Sequence, residues 1–365
     1  DVVVGNPPYV DAEHMVAARP GLRTHCRRHY AAARGNWDLY CPFIERAVEL
    51  TRVGGRHAFL VPGQLASADY AAGARRVLAE SLSLETILDY ADASLFDAHV
   101  YPLAYVGRRV GRRADGMVRW EREDGAAHTL PLRAFGTAPW PRSALSAHLD
   151  DARHPTLGQI ATVSGAATVN EAYELLPLID EVPAPGPEDL PVVNSGTLDP
   201  HRSLWGQKPM RYLKHRFDHP VVRAQRQLSL PPRRLAQARQ PKLIVASMTR
   251  RLEACVDPSG TLLAAKSTSI VQLSSDAPFD LWVLSALLHS APMARIYAEL
   301  FGGLRLSGGH LRVGPPQLRR LPIPLPSPTQ AGTLGEAARA LARAPREDKT
   351  ASATIDRVAA ALFEL

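Results

Sequence analysis

Asn6, Pro7, Pro8 and Tyr9 follow the apolar run Val2-Val3-Val4-Gly5 without a break. The side-chain carbonyl of Asn6 is a hydrogen-bond acceptor. Pro7 adds a backbone carbonyl and has no N–H of its own to compete for it. Pro8 stiffens the turn, so both acceptors are held in place, and Tyr9 supplies a flat ring. Two fixed acceptors beside a ring face suit a planar group bearing an NH2, of which the exocyclic amine of adenine is one. That amine is a poor nucleophile because its lone pair is delocalised into the ring. Accepting both of its hydrogens returns electron density to nitrogen, which can then attack a methyl group on a sulfonium. Preorganised acceptors are the electrostatic part of such catalysis. A plain turn is the alternative for Asn-Pro-Pro.

The elements that would hold these residues alternate between strand and helix over residues 1–110. The run at 1–5 reads as a buried parallel strand. Residues 38–55 read as a helix with Leu39, Phe43, Ala47 and Leu50 at helical spacing, closed by Gly54-Gly55. RHAFLVP (56–62) reads as a strand, 69–83 as a helix capped by Asp69, and 84–91 and 100–109 as strands. The predicted fold is α/β, with helices on both faces of the sheet. In an open parallel sheet, ligands bind beyond the carboxyl ends of the strands, and Asn6 stands at one such end.

Beyond residue 110 the pattern changes. Residues 113–155 are polar and broken, as in a linker. From 156 to 328 prolines are frequent and short strands recur, at 240–249, 251–256 and 269–273, with a turn at 257–260. Residues 279–301 read as an amphipathic helix interrupted at Pro292, 321–328 as an extended segment, and 329–365 as two closing helices.

The 365 residues are 45% hydrophobic and carry a net charge of +7. That length allows two domains, and the basic balance suits a polyanionic partner. The arginines concentrate at Arg223, Arg226, Arg233, Arg234 and Arg239, then at Arg250 and Arg251. No run of about 18 apolar residues exists to span a membrane. Three cysteines, far apart, fit a reducing compartment. His25, Cys26 and His29 lie within reach of one metal, but no further ligand cluster occurs at suitable spacing, so no metal is expected. The glycine-rich stretch 301–316 lacks the Lys-Ser/Thr of a phosphate loop.

DVVVGNPPYV resembles the catalytic motif of the N6-adenine DNA methyltransferases. The segment GNWDLYCPFIERAVELTRVGGRHAFLVPGQLASADY resembles the stretch after that motif in restriction–modification methylases of the Eco57I and TaqI kind. LETILDYADASLFDAHVYPLAYVGRR resembles their last catalytic-domain strands, and 157–179, 241–273 and LRRLPIPLPSP resemble the TaqI-like specificity domain. That domain usually carries Gly-x-x-Thr-Gly-x-Asn near its start; here Val169 stands in place of the second Gly.

The resemblance implies the C-terminal half of a Rossmann-like, S-adenosylmethionine-dependent methyltransferase sheet over 1–112. It implies a linker at 113–155, an α+β target-recognition domain at 156–328, and closing helices at 329–365. Asn6 and Pro7 would bind the target amine and Tyr9 would stack on a flipped adenine. Phe96 matches a second aromatic that packs on the base, a core ring being its alternative. Arg250, Arg251 and Lys266 are the candidates for contacting double-stranded DNA. In the family the methyl donor binds upstream, at a Phe-x-Gly-x-Gly turn that these residues lack. The expectation is therefore a piece of a longer bacterial cytoplasmic enzyme, missing its N-terminal half and inactive by itself. Two alternatives remain: a non-catalytic DNA-recognition subunit derived from a methylase, and an N-methyltransferase acting on protein glutamine or ribosomal RNA.

Overall fold

The computed structural model describes residues 1–90, 102–111, 115–142, 154–301, 310–343 and 348–364. They divide into two compact units, one of residues 1–151 with 298–307 and one of 152–297 with 308–365.

The first unit is built on a six-stranded mixed sheet. Its strands are β1 (Val2–Gly5), β2 (Arg56–Pro62), β3 (Leu82–Asp89), β4 (Pro102–Arg109), β5 (Met117–Arg122) and β6 (Ala127–Pro131), in the spatial order β1-β2-β4-β3-β5-β6. β1 runs parallel to β2, and β3 parallel to β5, while β4 is antiparallel to both β2 and β3. β1, β2, β3 and β5 therefore share one direction, and their carboxyl ends lie along one edge of the sheet. The helices are α1 (Ala12–Ala18), α2 (Pro20–His29), α3 (Tyr40–Leu50), α4 (Gln64–Ser67) and α5 (Ala72–Ser81).

One face of the sheet is dry. Phe59, Val61, Ile87, Tyr105, Val118 and Trp120 alternate along their strands and are buried with Ile44, Val48, Ala74 and Leu78 from α3 and α5. The intervening residues Ala58, Leu60, Leu88 and Val106 are only half-buried, and Arg119 is exposed. This period-two pattern belongs to a sheet whose second face is covered less completely than its first. β1 departs from the buried reading for the same reason. It is an edge strand, and Val2 and Val4 are 64% and 74% exposed.

Other expectations need adjustment. In α3 the buried residues are Tyr40, Cys41, Pro42, Ile44, Ala47 and Val48, whereas Phe43 and Leu50 point out. The packed stripe is rotated from the one that the spacing suggested. Asp69 opens a short 3-10 turn, Asp69–Ala71, ahead of α5. Two strands from the stretch read as a linker, β5 and β6, join the first sheet as a hairpin, with Trp120 fully buried.

The second unit holds two four-stranded sheets. One is ordered 263–264, 190–193, 220–222, 179–181, and the other 254–257, 242–246, 268–273, 161–165. Each sheet has its own apolar cluster, around Val192 and Val222 in the first and Ile244 and Ile270 in the second. The predicted long helix is two helices, Leu281–His289 and Ala291–Phe301, parted at Ser290 rather than at Pro292. Pro292 occupies the first turn of the second helix, where a missing N–H costs little. Helices Pro328–Arg343 and Lys349–Phe363 come after the extended segment, the second capped by Asp348. No helix among the described residues is long and apolar enough to cross a membrane.

Candidate active site

The Asn6–Tyr9 turn leaves the carboxyl end of β1. Gly5 pairs with Phe59 of β2, and its Cα faces the Phe59 ring so closely that a Cβ would lie 2.6 Å from Cε1. Only glycine lets the chain pass that ring. The ring is itself fixed: it stacks on His57 at 4.9 Å between centroids, and His57 stacks on Tyr105 at 5.6 Å.

Beyond Gly5, Asn6 is exposed, Pro7 is buried and Pro8 is exposed. The buried Pro7 ring pins the turn while the Asn6 side chain faces solvent. Tyr9 is half-buried, and its hydroxyl is screened from water with no hydrogen-bond partner among the described residues. Burial pushes its ionisation up to about 12, so the phenol stays neutral. The ring is thus an uncharged, partly covered face, as stacking requires.

The far end of the turn is also fixed. The Val10 carbonyl accepts a hydrogen bond from the Leu39 N–H at 2.9 Å. Asp11 caps α1, accepting from the His14 N–H at 2.7 Å. The Ala12 N–H donates to Asp38 Oδ1 at 3.1 Å. Asp38 also accepts from the Tyr70 hydroxyl, so Asp38, Leu39 and Tyr70 belong to the frame of the turn, and sequence reasoning assigned them no role there. The signal that could have found Asp38 is GNWDLY, in which one acid stands between aromatics just ahead of a helix.

A second buried device stabilises the same edge. Arg75 on α5 is 1% exposed and donates from Nη1 to the Leu65 and Ala68 carbonyls, both at 2.8 Å, and from Nε to Thr137 O at 2.9 Å. It satisfies carbonyls at the end of α4, the helix that succeeds β2 at its carboxyl end.

Phe96 lies outside the described residues, in the stretch between β3 and β4. Cys26 is buried in α2, and His25 stacks on His29 with centroids 4.2 Å apart.

In the second unit, Arg250 is exposed and the Arg251 side chain is 63% exposed, 3.7 Å from Glu253. Both come directly after the short strand Met248–Thr249. Strands 242–246 and 268–273 pair with Ala246 opposite Thr268, and Ser247 N–H donates to Ser267 O at 3.0 Å. Half-buried Lys266 is therefore at the same end of that sheet as Arg250 and Arg251. The denser arginine run is different in kind. Arg223 and Arg226 both reach Asp180 at 3.4 Å. Arg234 grips Glu171 at 3.0 and 2.7 Å, and Arg239 donates to Gln227 Oε1 at 2.7 Å. Much of that run's charge is thus paired with other side chains of the same unit, Arg234 most closely.

Val169 begins the short helix Val169–Leu175 and is exposed. Thr168 caps it, with Glu171 reaching back to the Thr168 N–H at 2.6 Å.

Residues 1–96 match the Eco57I restriction-modification methylase family. The type II restriction enzyme and methyltransferase RM.Eco57I of Escherichia coli is 30% identical over 96 residues, which cover 26% of this chain and 10% of that protein. The type II methyltransferase M.TthHB8I of Thermus thermophilus is 27% identical over 232 residues, covering 57% of this chain and 51% of that one. Among solved structures, the type IIL restriction-modification enzyme MmeI in complex with DNA aligns over 100% of this chain and 54% of its own, with a TM-score of 0.55 at 10% identity. This likeness is one of fold. The chain spans from a tenth to about half the length of these relatives.

Proposed function

We propose that this chain is part of a site-specific DNA adenine-N6 methyltransferase of a restriction–modification system. The observation that carries this reading is the Asn6–Tyr9 turn, held at the carboxyl end of β1 by Gly5 against Phe59 and by Leu39 and Asp38 behind it. The match of residues 1–96 to a methylase family supports it.

In this reading a target adenine, flipped out of duplex DNA, lies on the Tyr9 ring. The Asn6 side-chain carbonyl and the Pro7 backbone carbonyl each accept one hydrogen of its amine. In this reading the turn sets both acceptors before the base arrives, so little reorganisation accompanies the positive charge that develops on nitrogen. As the N–C bond forms the S–C bond to the methyl group breaks, and the amine proton, acidic only then, passes to water, so no strong base is required. A sulfonium methyl donor, S-adenosylmethionine, supplies the methyl group when bound. The turn after β1 does not fit that donor's carboxylate, which needs N–H donors; Pro7 and Pro8 have none. We propose that its site is completed by an N-terminal half of the Rossmann-like sheet. Residues 156–328 would be the target-recognition domain, with Arg250, Arg251 and Lys266 near phosphates or base edges.

The test is methyl transfer by the complete enzyme on duplex DNA, ribosomal RNA and a release factor. The expected product is N6-methyladenine in duplex DNA. Asn6→Ala should lower turnover by about 10²–10³-fold, the loss typical of one preorganised acceptor or donor, and leave DNA affinity within a few fold. Transfer to RNA or to glutamine, or lost binding with normal turnover, would overturn the assignment.

A further inference from the structure

The strand that leads into Asn6 fixes one end of the catalytic turn; the other end depends on residues met much later in the chain. Asp38 has two carboxylate oxygens and uses them on different elements. Oδ1 accepts from the Ala12 N–H at 3.1 Å, and Oδ2 accepts from the Tyr70 hydroxyl at 2.5 Å. Tyr70 in turn accepts from the Tyr40 hydroxyl at 3.5 Å. The next residue, Leu39, donates its N–H to Val10 O at 2.9 Å. Two adjacent residues thus bind the main chain at 10 and 12.

The segment containing Asp38 is itself held. Arg23 on α2 donates to Gly35 O at 3.2 Å and Trp37 O at 3.3 Å, and its guanidinium stands 4.9 Å from the centroid of the buried Trp37 ring. Gly35 takes a positive φ of 69°, which starts this segment in the left-handed region. The clamp is therefore rigid on its own side and touches the site on the other.

For stability alone, Asp38 is a poor choice. The carboxylate is half-buried, and its hydrogen-bond partners, Tyr70 and the Ala12 N–H, are both uncharged. Desolvation raises its ionisation above the ordinary carboxylate value; the Tyr70 and Ala12 hydrogen bonds and the Arg23 charge oppose that rise, and the Asp11 charge adds to it. Burying a charged group costs free energy that an apolar side chain would not. What the carboxylate supplies is geometry: two acceptors in one plane, locking residue 12 to Tyr70.

We propose that Asp38, held by Tyr70, is a positioning residue that sets the Asn6 and Pro7 acceptors from the C-terminal side of the turn. The inference rests on the reading of Asn6–Tyr9 as an amine-binding turn. Between the two anchors, Gly5 and Val10, lie only the four residues of the turn. A displacement at Val10 therefore reaches Asn6 with little slack. Misplacement of about 1 Å in a reacting geometry costs on the order of 10²-fold in rate.

The test compares Asn6→Ala, Asp38→Ala, Asp38→Asn and Tyr70→Phe in the complete enzyme, with steady-state methyl transfer on duplex DNA. Asp38→Ala should lower kcat by about 10²-fold while KM for DNA stays within about threefold. Asp38→Asn should recover kcat to within a few fold. Its amide oxygen can accept from Ala12 and its amide N–H can donate to the Tyr70 oxygen. Tyr70→Phe should lower kcat by about tenfold, since Asp38 keeps Ala12 but loses its brace. A merely structural role would instead lower the melting temperature and leave kcat of the folded fraction unchanged. Unchanged kcat in folded Asp38→Ala, or a rise in KM alone, would overturn the proposal. Should Asp38→Ala fail to fold, Tyr70→Phe decides: an unchanged kcat overturns it. If Asn6→Ala retains turnover, the methylase reading itself fails, whatever Asp38 does.

Discussion

Gly5 and Phe59 face each other across the β1–β2 pair, and a Cβ on Gly5 would come within 2.6 Å of one ring carbon and 2.9 Å of another. The ring is stacked between neighbours rather than free to swing, as the 4.9 Å spacing to His57 shows. Gly5→Ala must therefore displace β1 or the ring. We expect a destabilisation of about 1–3 kcal/mol, the range for overpacking. Turnover should fall further than stability explains, because Asn6 is the next residue. Replacing the ring with a smaller side chain, in Gly5→Ala/Phe59→Leu, should return part of the activity while keeping a packing deficit. Thermal melting and methyl transfer on these variants check this. If Gly5→Ala is neutral in both, the ring contact does not set the turn.

His57 lies beneath this contact and is 0% exposed. The Thr51 hydroxyl donates to Ala47 O at 2.8 Å, so its oxygen accepts from His57 Nδ1–H at 3.2 Å. Nε2 then accepts from the Tyr105 hydroxyl at 3.0 Å. Every donor and acceptor is matched in the neutral imidazole, and burial lowers its pKa to about 4. The folded value lies below the unfolded value of about 6.5, so the unfolded chain binds more protons between them. Stability from this group is fully present above pH 6.5 and is lost as pH falls to about 4. The loss should amount to about 3 kcal/mol. His201 and His289 in the second unit, with pKa values lowered by burial to about 2 and about 4, act in the same direction there. Denaturant unfolding at several pH values should show His57→Gln less stable at pH 7 but with a flatter acid limb. An unchanged acid limb would mean that His57 is charged in the fold.

The site was legible to the extent that it is local. Asn6 to Tyr9 are consecutive, and their chemistry comes from residue type. The bracing residues are not local. Asp38 meets Ala12 across 26 positions and Tyr70 across 32. GNWDLY sets Asp38 apart as an acid between aromatics, but nothing in the sequence names Ala12 or Tyr70 as its partners. The strands β1 to β4 of the first sheet were readable from their apolar runs, but Val2 and Val4 show the limit of that signal. An apolar run says that a strand favours burial; it does not say which neighbours cover it. The hairpin of β5 and β6 was missed because Arg119, Glu121 and Arg122 interleave with Val118 and Trp120, and alternate polar residues on an uncovered face read as loop. The ion pairs of the arginine run were equally illegible, since charge density on a chain is blind to partners from elsewhere.

Arginines spent inside the fold and arginines left for a partner can be told apart by measurement. Arg234 is tied to Glu171 by two bonds of 3.0 and 2.7 Å, and also donates to Gly165 O at 2.8 Å and Gln237 Oε1 at 2.9 Å. The guanidinium is the main cause that lowers Glu171 to about 2, so this pair stabilises the fold at pH values above the ordinary carboxylate range and is lost as pH falls through 2. Arg250 is exposed on the short turn after Thr249. If the second unit binds DNA as proposed, the two arginines should separate cleanly. Arg234→Ala should destabilise the protein by about 1–3 kcal/mol and leave the salt dependence of DNA binding unchanged. Arg250→Ala should change stability by less than about 0.5 kcal/mol. It should also reduce the slope of log affinity against log salt by about 1, as expected for one lost phosphate contact. Salt titrations of binding to the recognition duplex, beside thermal melts, read both quantities. A slope that changes with Arg234 and not with Arg250 would move the DNA interface to the run at 223–239.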